Sequence, residues 1–325
     1  MELIAEIGPA NGDFDYAIDA VHAAKDTGFH WVKGQIYDRN LLTSKTAPTY
    51  AQDGIAVPAT QYEDFARQLT LDEWAGVKEE CDRIGIGFFF SLFDLHGVRF
   101  GESIGVDRYK LASGDITFKQ LIEAVASTGK LIIMSTGAST ENEIRRAVQW
   151  VTQRNTNLVV MACTLSYPTM PSDANLLRMK SIRPIWPEVG YSDHTFGVGA
   201  IVRAAHLGAV MVEKHFTITP GAGGDHDFGL VAKQLHQLVE WGTGDPVYDG
   251  DGGLEPMLVE KRAREGARRS LHVITDVAQG DLVESDNVMA LRPGGGLEPW
   301  QADDYMGRPA LVDIPAGSML TKTHF

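Results

Sequence analysis

The chain has 325 residues, 44% of them hydrophobic and 22% charged, which excludes a small disulfide-stapled scaffold and a wholly disordered chain. Lys and Arg total 29 against 43 Asp and Glu, a formal net charge of −14 and the wrong sign for capturing nucleic acid or an anionic membrane surface. An anionic substrate must then be held by a local cluster of cations and donors.

From residue 3 to about residue 241, short β-type runs alternate with longer amphipathic stretches, the pattern of parallel strands joined by crossover helices. Eight strands are predicted: Leu3–Ile7, Trp31–Tyr37, Gly87–Phe93, Tyr109–Ser113, Leu131–Thr136, Leu158–Cys163, Val189–Asp193 and Val210–Phe216. Asp15–Thr27, Leu71–Ile84, Phe118–Ser127 and Glu141–Gln153 read as helices between them. This repeat fits an α/β (β/α)8 barrel better than a doubly wound sheet, whose first turn usually reads GxGxxG where this chain has GPANGD. Residues 1–243 are therefore assigned to the barrel. Residues 244–269 read as a linker, with a Gly- and Asp-rich start and then seven charged side chains in Glu260–Arg269. Residues 270–325 read as a small, turn-rich, mostly β domain that needs support from something else. Cys81 and Cys163 form no CxxC pattern and no long apolar window occurs, so a soluble cytoplasmic protein is expected, with no membrane partner and no nucleic acid.

In such a barrel the chemistry belongs at the carboxyl ends of the strands. That filter selects Glu6, Lys33, Gln35, Ser91, Asp94, Lys110, Ser113, Asp115, Ser135, Thr136, Ser166, Tyr167, Ser192, Asp193, His194, Glu213, Lys214 and His215. His194 and His215, on adjacent strands, suit a catalytic divalent metal, although each also reads as a hydrogen-bonded core histidine. Lys33 and Lys110 lie in apolar strands. Either a bound phosphate or carboxylate draws them inward, or they are buried in pairs with Glu6, Asp115 or Glu213. Asp225 and His226, in the loop after the eighth strand, read as further ligands, sugar contacts or plain turn residues.

The runs IAEIG, VKGQ, YKLASGD, IIMSTGAS, CTLSYPT, GYSDHT and EKHFT, followed by ARRSL and LRPGGG, resemble the sialic acid synthase family, which makes N-acetylneuraminate and its legionaminate, pseudaminate and Kdn relatives. The resemblance implies a barrel followed by a small antifreeze-like (SAF) domain. It also implies a domain-swapped homodimer and condensation of phosphoenolpyruvate with an open-chain amino-sugar aldose such as N-acetylmannosamine. The product is a nine-carbon 2-keto acid, phosphate is released, and the cofactor is a divalent metal, typically manganese, with Mg2+ or Co2+ as alternatives. Carried over by motif, His194 and His215 are the metal ligands, and Lys33, Ser91, Lys110, Ser113, Ser135 and Ser192 hold phosphoenolpyruvate. Gln35, Tyr167 and Asp225 contact the sugar, and Arg292 reaches it from the partner's small domain. Asp115 leads as the carboxylate assisting water addition, with Glu6 and Glu213 behind it.

The sequence departs from the family pattern on the sugar side. PANGD is a shortened first turn, FSLF keeps one hydroxyl at Ser91, Asp115 replaces a glutamate, Leu165 takes a usually polar position, and the last loop is GAGGD. These departures leave open a non-catalytic sugar-binding protein on the same fold or a synthase of a different nonulosonic acid.

Overall fold

The structure is a computed structural model that describes residues 1–50, 60–221, 229–230 and 244–325. Eight parallel strands close into a barrel in strict sequence order: β1 (Glu2–Gly8), β2 (Trp31–Ile36), β3 (Gly87–Leu92), β4 (Arg108–Leu111), β5 (Leu131–Ser135), β6 (Leu158–Cys163), β7 (Val189–Asp193) and β8 (Met211–His215). The predicted strands all form, within a residue or two at their ends.

Successive side chains on a strand face opposite ways, so every second residue enters the barrel. Ile4, Phe89, Ile133, Val159, Met161 and Met211 plug the interior as one buried apolar cluster. Two residues further along four of these strands come Glu6, Ser91, Ser135 and Glu213, and His215 follows after two more. The strand period thus converts a hydrophobic floor into a polar layer at the carboxyl-terminal mouth. The alternate faces, including Ala5, Val32, Phe88, Phe90, Leu111, Met134 and Val212, pack in a second core beneath the surrounding helices.

Those helices form where the sequence supplies caps. Thr70 and Glu73 make a capping box for the Leu71–Ile84 helix, and Thr140 and Glu143 do so for Glu141–Thr152. Gly28 and Gly85, at φ +93° and +74°, end the first helix and the Leu71–Ile84 helix in the left-handed conformation that glycine adopts without strain.

The linker is not a free tether. Residues 244–253 lie against the β6–β7 side, where Leu176 and Leu177 donate backbone hydrogen bonds to Tyr248 and Asp249, and Arg203 grips Asp249 at 2.6 Å. The charged stretch then forms a helix, Lys261–Ala267, with Ala263, Gly266 and Ala267 buried. The small domain pairs β9 (Ser270–Val273) with β11 (Val288–Leu291), and β10 (Leu282–Val283) with β12 (Arg308–Pro309), around a core that includes Leu271, Val273, Val283, Ile314 and Leu320. It leans on its own barrel through Arg146 over the Trp300 ring and Gln120 donating to the Pro299 carbonyl. Among the described residues no helix is long and apolar enough to cross a membrane.

Candidate active site

Strand register sets the charged groups beside one another. Glu6 is level with Lys33 and His215, Ser91 with Gln35 and Lys110, and Ser192 with Glu213. Lys33 Nζ lies 2.5 Å from Glu6 Oε2 and 3.2 Å from Glu213 Oε1, and donates to Ser91 Oγ at 2.7 Å. It is thus hydrogen-bonded to one hydroxyl and ion-paired with two carboxylates. Burial pulls its pKa down, but Glu213 and Glu6 outweigh burial and hold it above the usual lysine value.

Lys110 differs. Its Nζ donates to the Leu111 carbonyl at 3.3 Å and stands 3.9 Å from Glu213 Oε1, so burial dominates and its pKa falls below the ordinary value. Burial alone would raise Glu213, yet Lys110, Lys33 and His215 together hold it well below the usual carboxylate range. Glu213 Oε1 accepts from Ser192 Oγ at 3.2 Å, while its Oε2 and Ser135 Oγ are buried without hydrogen-bond partners. The two readings of the lysines therefore coexist: they pair with Glu6 and Glu213, not with Asp115, and they line a cluster whose remaining polar atoms still need partners. Formal charges within it cancel, so it is less positive than the sequence suggested.

The imidazoles of His194 and His215 meet above this layer, with ring centroids 5.4 Å apart. His194 Nδ1 lies 2.8 Å from the Thr164 carbonyl oxygen. A carbonyl only accepts, so Nδ1 carries the proton and Nε2 presents its lone pair. The Tyr167 ring stacks 4.2 Å from His194 and meets His215 edge-on at 5.9 Å. Among the described residues no group of three or more His, Cys, Asp or Glu side chains converges as a metal cage. Two neutral imidazoles fit a divalent ion that completes its shell with water and substrate. Gln35 Nε2 donates to Glu6 Oε1 at 2.9 Å, and Ser113 Oγ accepts from the Gly137 amide at 2.9 Å. Asp225 and His226 lie outside the described residues.

Asp115 and Arg292 lie where the tether meets the barrel. Asp115 is fully buried in the turn after β4, with Oδ1 held by Arg269 Nε at 2.6 Å. Its Oδ2 has no hydrogen-bond partner and stands 4.0 Å from Arg292 Nη2. Arg292 lies over Phe65 and Phe93 of the same chain, at 5.6 Å each. The reason is the bonded tether: Arg269 Nη1 donates to the Leu41 and Ala290 carbonyls at 2.7 and 2.9 Å, and Nη2 to Phe93 at 2.6 Å. These bonds pin the start of β9 directly over β3 and β4. Gly114 permits the approach, because a Cβ there would stand 2.6 Å from the Ala267 carbonyl oxygen.

Sequence reasoning missed three residues that shape this site. Glu260, Arg268 and Arg269 are buried, although the run EKRAREGARR reads as the charged end of a linker. The available signal was the small residues Ala263, Gly266 and Ala267 on one side of it, which allow close approach to the barrel.

Comparison with known proteins follows the same division. The model of the NeuB family matches residues 20–243 and that of the SAF domain residues 268–325. The chain is 32% identical over 333 residues to the N,N'-diacetyllegionaminic acid synthase of Legionella pneumophila, covering 99% of this chain and 94% of that protein. It is 31% identical to the pseudaminic acid synthase of Helicobacter pylori, with 98% and 96% covered. The crystal structure of the spore coat polysaccharide biosynthesis protein spsE of Bacillus subtilis superposes with a TM-score of 0.85 at 23% identity, over 99% of this chain and 94% of that one, a likeness of fold.

Proposed function

The chain belongs to the NeuB family, and from that premise we propose that it condenses phosphoenolpyruvate with the open-chain aldehyde of an N-acylated amino sugar. The product is a nine-carbon 2-keto sugar acid of the sialic, legionaminic or pseudaminic type, and phosphate leaves. What supports this reading is Lys33, Lys110, Ser91 and Ser192 gathered around Glu6 and Glu213, with Ser113 and Ser135 at neighbouring strand ends and two imidazoles adjacent to each other on the last two strands. A small multiply charged anion gives Ser135 Oγ the acceptor it lacks and Lys110 a stronger one than its long bond to the Leu111 carbonyl.

His194 and His215 would hold a divalent ion, in our reading Mn2+, and that ion supplies Lewis-acid polarisation of the aldehyde oxygen. Seated by the lysines and serines, phosphoenolpyruvate turns its methylene carbon toward the aldehyde carbon, and the new C–C bond forms there. Cationic charge then develops at the enol carbon. Water adds to that carbon and gives up a proton, and the tetrahedral species collapses with cleavage of its C–O bond to phosphate. Glu213, ionised and with an unpartnered Oε2, stands closest to these requirements as the accepting carboxylate. Glu6 acts through Lys33. Asp115, tied to Arg269, positions Arg292 toward the sugar side, where Gln35, Tyr167 and Asp225 complete the contacts.

The family's homodimer and a cytoplasmic location belong to this reading. Met170 and Phe196, on the loops after β6 and β7 and 57% and 52% exposed, give the dimer apolar surface at the mouth, and the two free thiols suit a reducing compartment. Phosphate release from phosphoenolpyruvate with Mn2+ and a panel of N-acylated hexosamines tests the function. Sugar-dependent release abolished by a chelator is expected, and no release with any sugar overturns it.

A further inference from the structure

We propose that Glu260, on the tether between the domains, is a positioning residue that sets both the phosphoenolpyruvate loops and the orientation of His194. This deepens the function proposed above and rests on it. Glu260 is completely buried. Its Oε1 accepts from the Ala138 amide at 2.6 Å and from the Leu165 amide at 2.8 Å, on the loops after β5 and β6. Its Oε2 accepts from the Met257 amide at 2.9 Å and from Arg178 Nη2 at 3.0 Å. The carboxylate is thus neutralised by one arginine and accepts from three backbone amides, those of Ala138 and Leu165 belonging to the site loops.

Each amide leads to a functional group. Ala138 sits at φ +51°, in the left-handed region that alanine adopts only under strain, so its peptide needs holding. The tether holds it on both sides: Glu260 takes its N–H, while Arg264 and Arg268 donate to its carbonyl, Arg268 Nη2 at 2.8 Å. The neighbouring Gly137 amide is the donor to Ser113 Oγ, and Arg268 also donates to the Ser113 carbonyl. Leu165 directly follows Thr164, whose carbonyl receives the Nδ1 proton of His194. Glu260 therefore holds the Ala138 amide, next to the Gly137 amide that donates to Ser113, and the peptide that selects the His194 tautomer.

The test is calorimetric binding of phosphoenolpyruvate to the full-length wild type, Glu260→Ala and Glu260→Gln, with thermal unfolding and the KM for sugar measured in parallel. Glu260→Ala loses every bond to the loops, and its Kd for phosphoenolpyruvate should rise by about tenfold or more. Glu260→Gln keeps an acceptor for the Ala138 and Leu165 amides but turns an NH2 toward Arg178, so a rise of about threefold is expected. The sugar KM should stay within about twofold in both. If Glu260→Ala does not fold, Glu260→Gln decides. Folded variants that bind phosphoenolpyruvate as the wild type does, with only their melting temperature lowered, overturn the proposal. A wild type that binds no phosphoenolpyruvate overturns the proposed function as well, which separates the two failures.

Discussion

Two buried charge clusters, one between tether and barrel and one at the barrel centre, differ in how fully their cations are hydrogen-bonded. In the tether cluster, Arg269 spends its donors on Asp115 and on the carbonyls of Leu41, Phe93 and Ala290, and Glu260 has an acceptor role filled on both oxygens. In the barrel-centre cluster, Lys110 has one long hydrogen bond and Ser135 Oγ and Glu213 Oε2 have none. Burying charge is costly in both places. Asp115 Oδ2, Arg268 Nε and Arg292 Nε lack hydrogen-bond partners on the tether side too, so the contrast lies in the cations: Arg269 makes four hydrogen bonds and holds structure, whereas Lys110 is left for something that completes its bonds.

The comparison can be broken at several points. The largest effect on turnover is expected from His215→Ala, on the order of a thousandfold or more in phosphate release, because Lewis-acid stabilisation is worth several kcal/mol. Circular dichroism and melting should stay near wild type, since His215 sits at the mouth, above the apolar plug. Retained turnover removes its assigned role. In the tether cluster the largest loss should be of stability instead. Arg269→Met leaves Asp115 buried and unpaired, at a cost of about 3–5 kcal/mol in urea unfolding. Adding Asp115→Leu to it should recover part of that loss, and no recovery contradicts the pairing.

Much of this was legible in the chain. Period-two strands with Gly-ended helices gave the barrel, and the strand-end rule gave Lys33, Lys110, Glu213 and both histidines. The division of labour between the lysines was hidden, because it depends on which carboxylates the register brings within reach: Glu6 lies level with Lys33 but not with Lys110. The buried arginines were hidden because a run of charges looks solvated until its small-residue face is docked. Arg292 over its own barrel was hidden for the same reason, since only the bonded tether dictates where β9 begins.

The lysine contrast yields smaller, sharper tests. Lys110→Met should raise the KM for phosphoenolpyruvate by about 10–100-fold with little loss of stability, as a charge-assisted bond to substrate disappears. Lys33→Met should lower both stability and turnover, because Glu6 and Glu213 lose their shared cation. Equal effects of the two substitutions erase the distinction. The smallest effect is in pH dependence. The pKa of Lys110 is lowered in the folded chain, chiefly by burial, so its proton is held more tightly in the unfolded chain and raising pH toward the lysine range favours folding through this group. Phosphoenolpyruvate binding runs the other way, since it needs the ammonium form. Its KM should climb as pH rises, starting below the ordinary lysine pKa of 10.5, and Lys110→Arg should flatten that climb.

The most direct test of the whole account is the mass of the product formed from phosphoenolpyruvate, Mn2+ and a panel of N-acylated hexosamines. A 2-keto acid with the summed mass of the sugar and pyruvic acid, formed one for one with phosphate, is the expected result. Phosphate released without such an acid, or no product from any sugar of the panel, contradicts it.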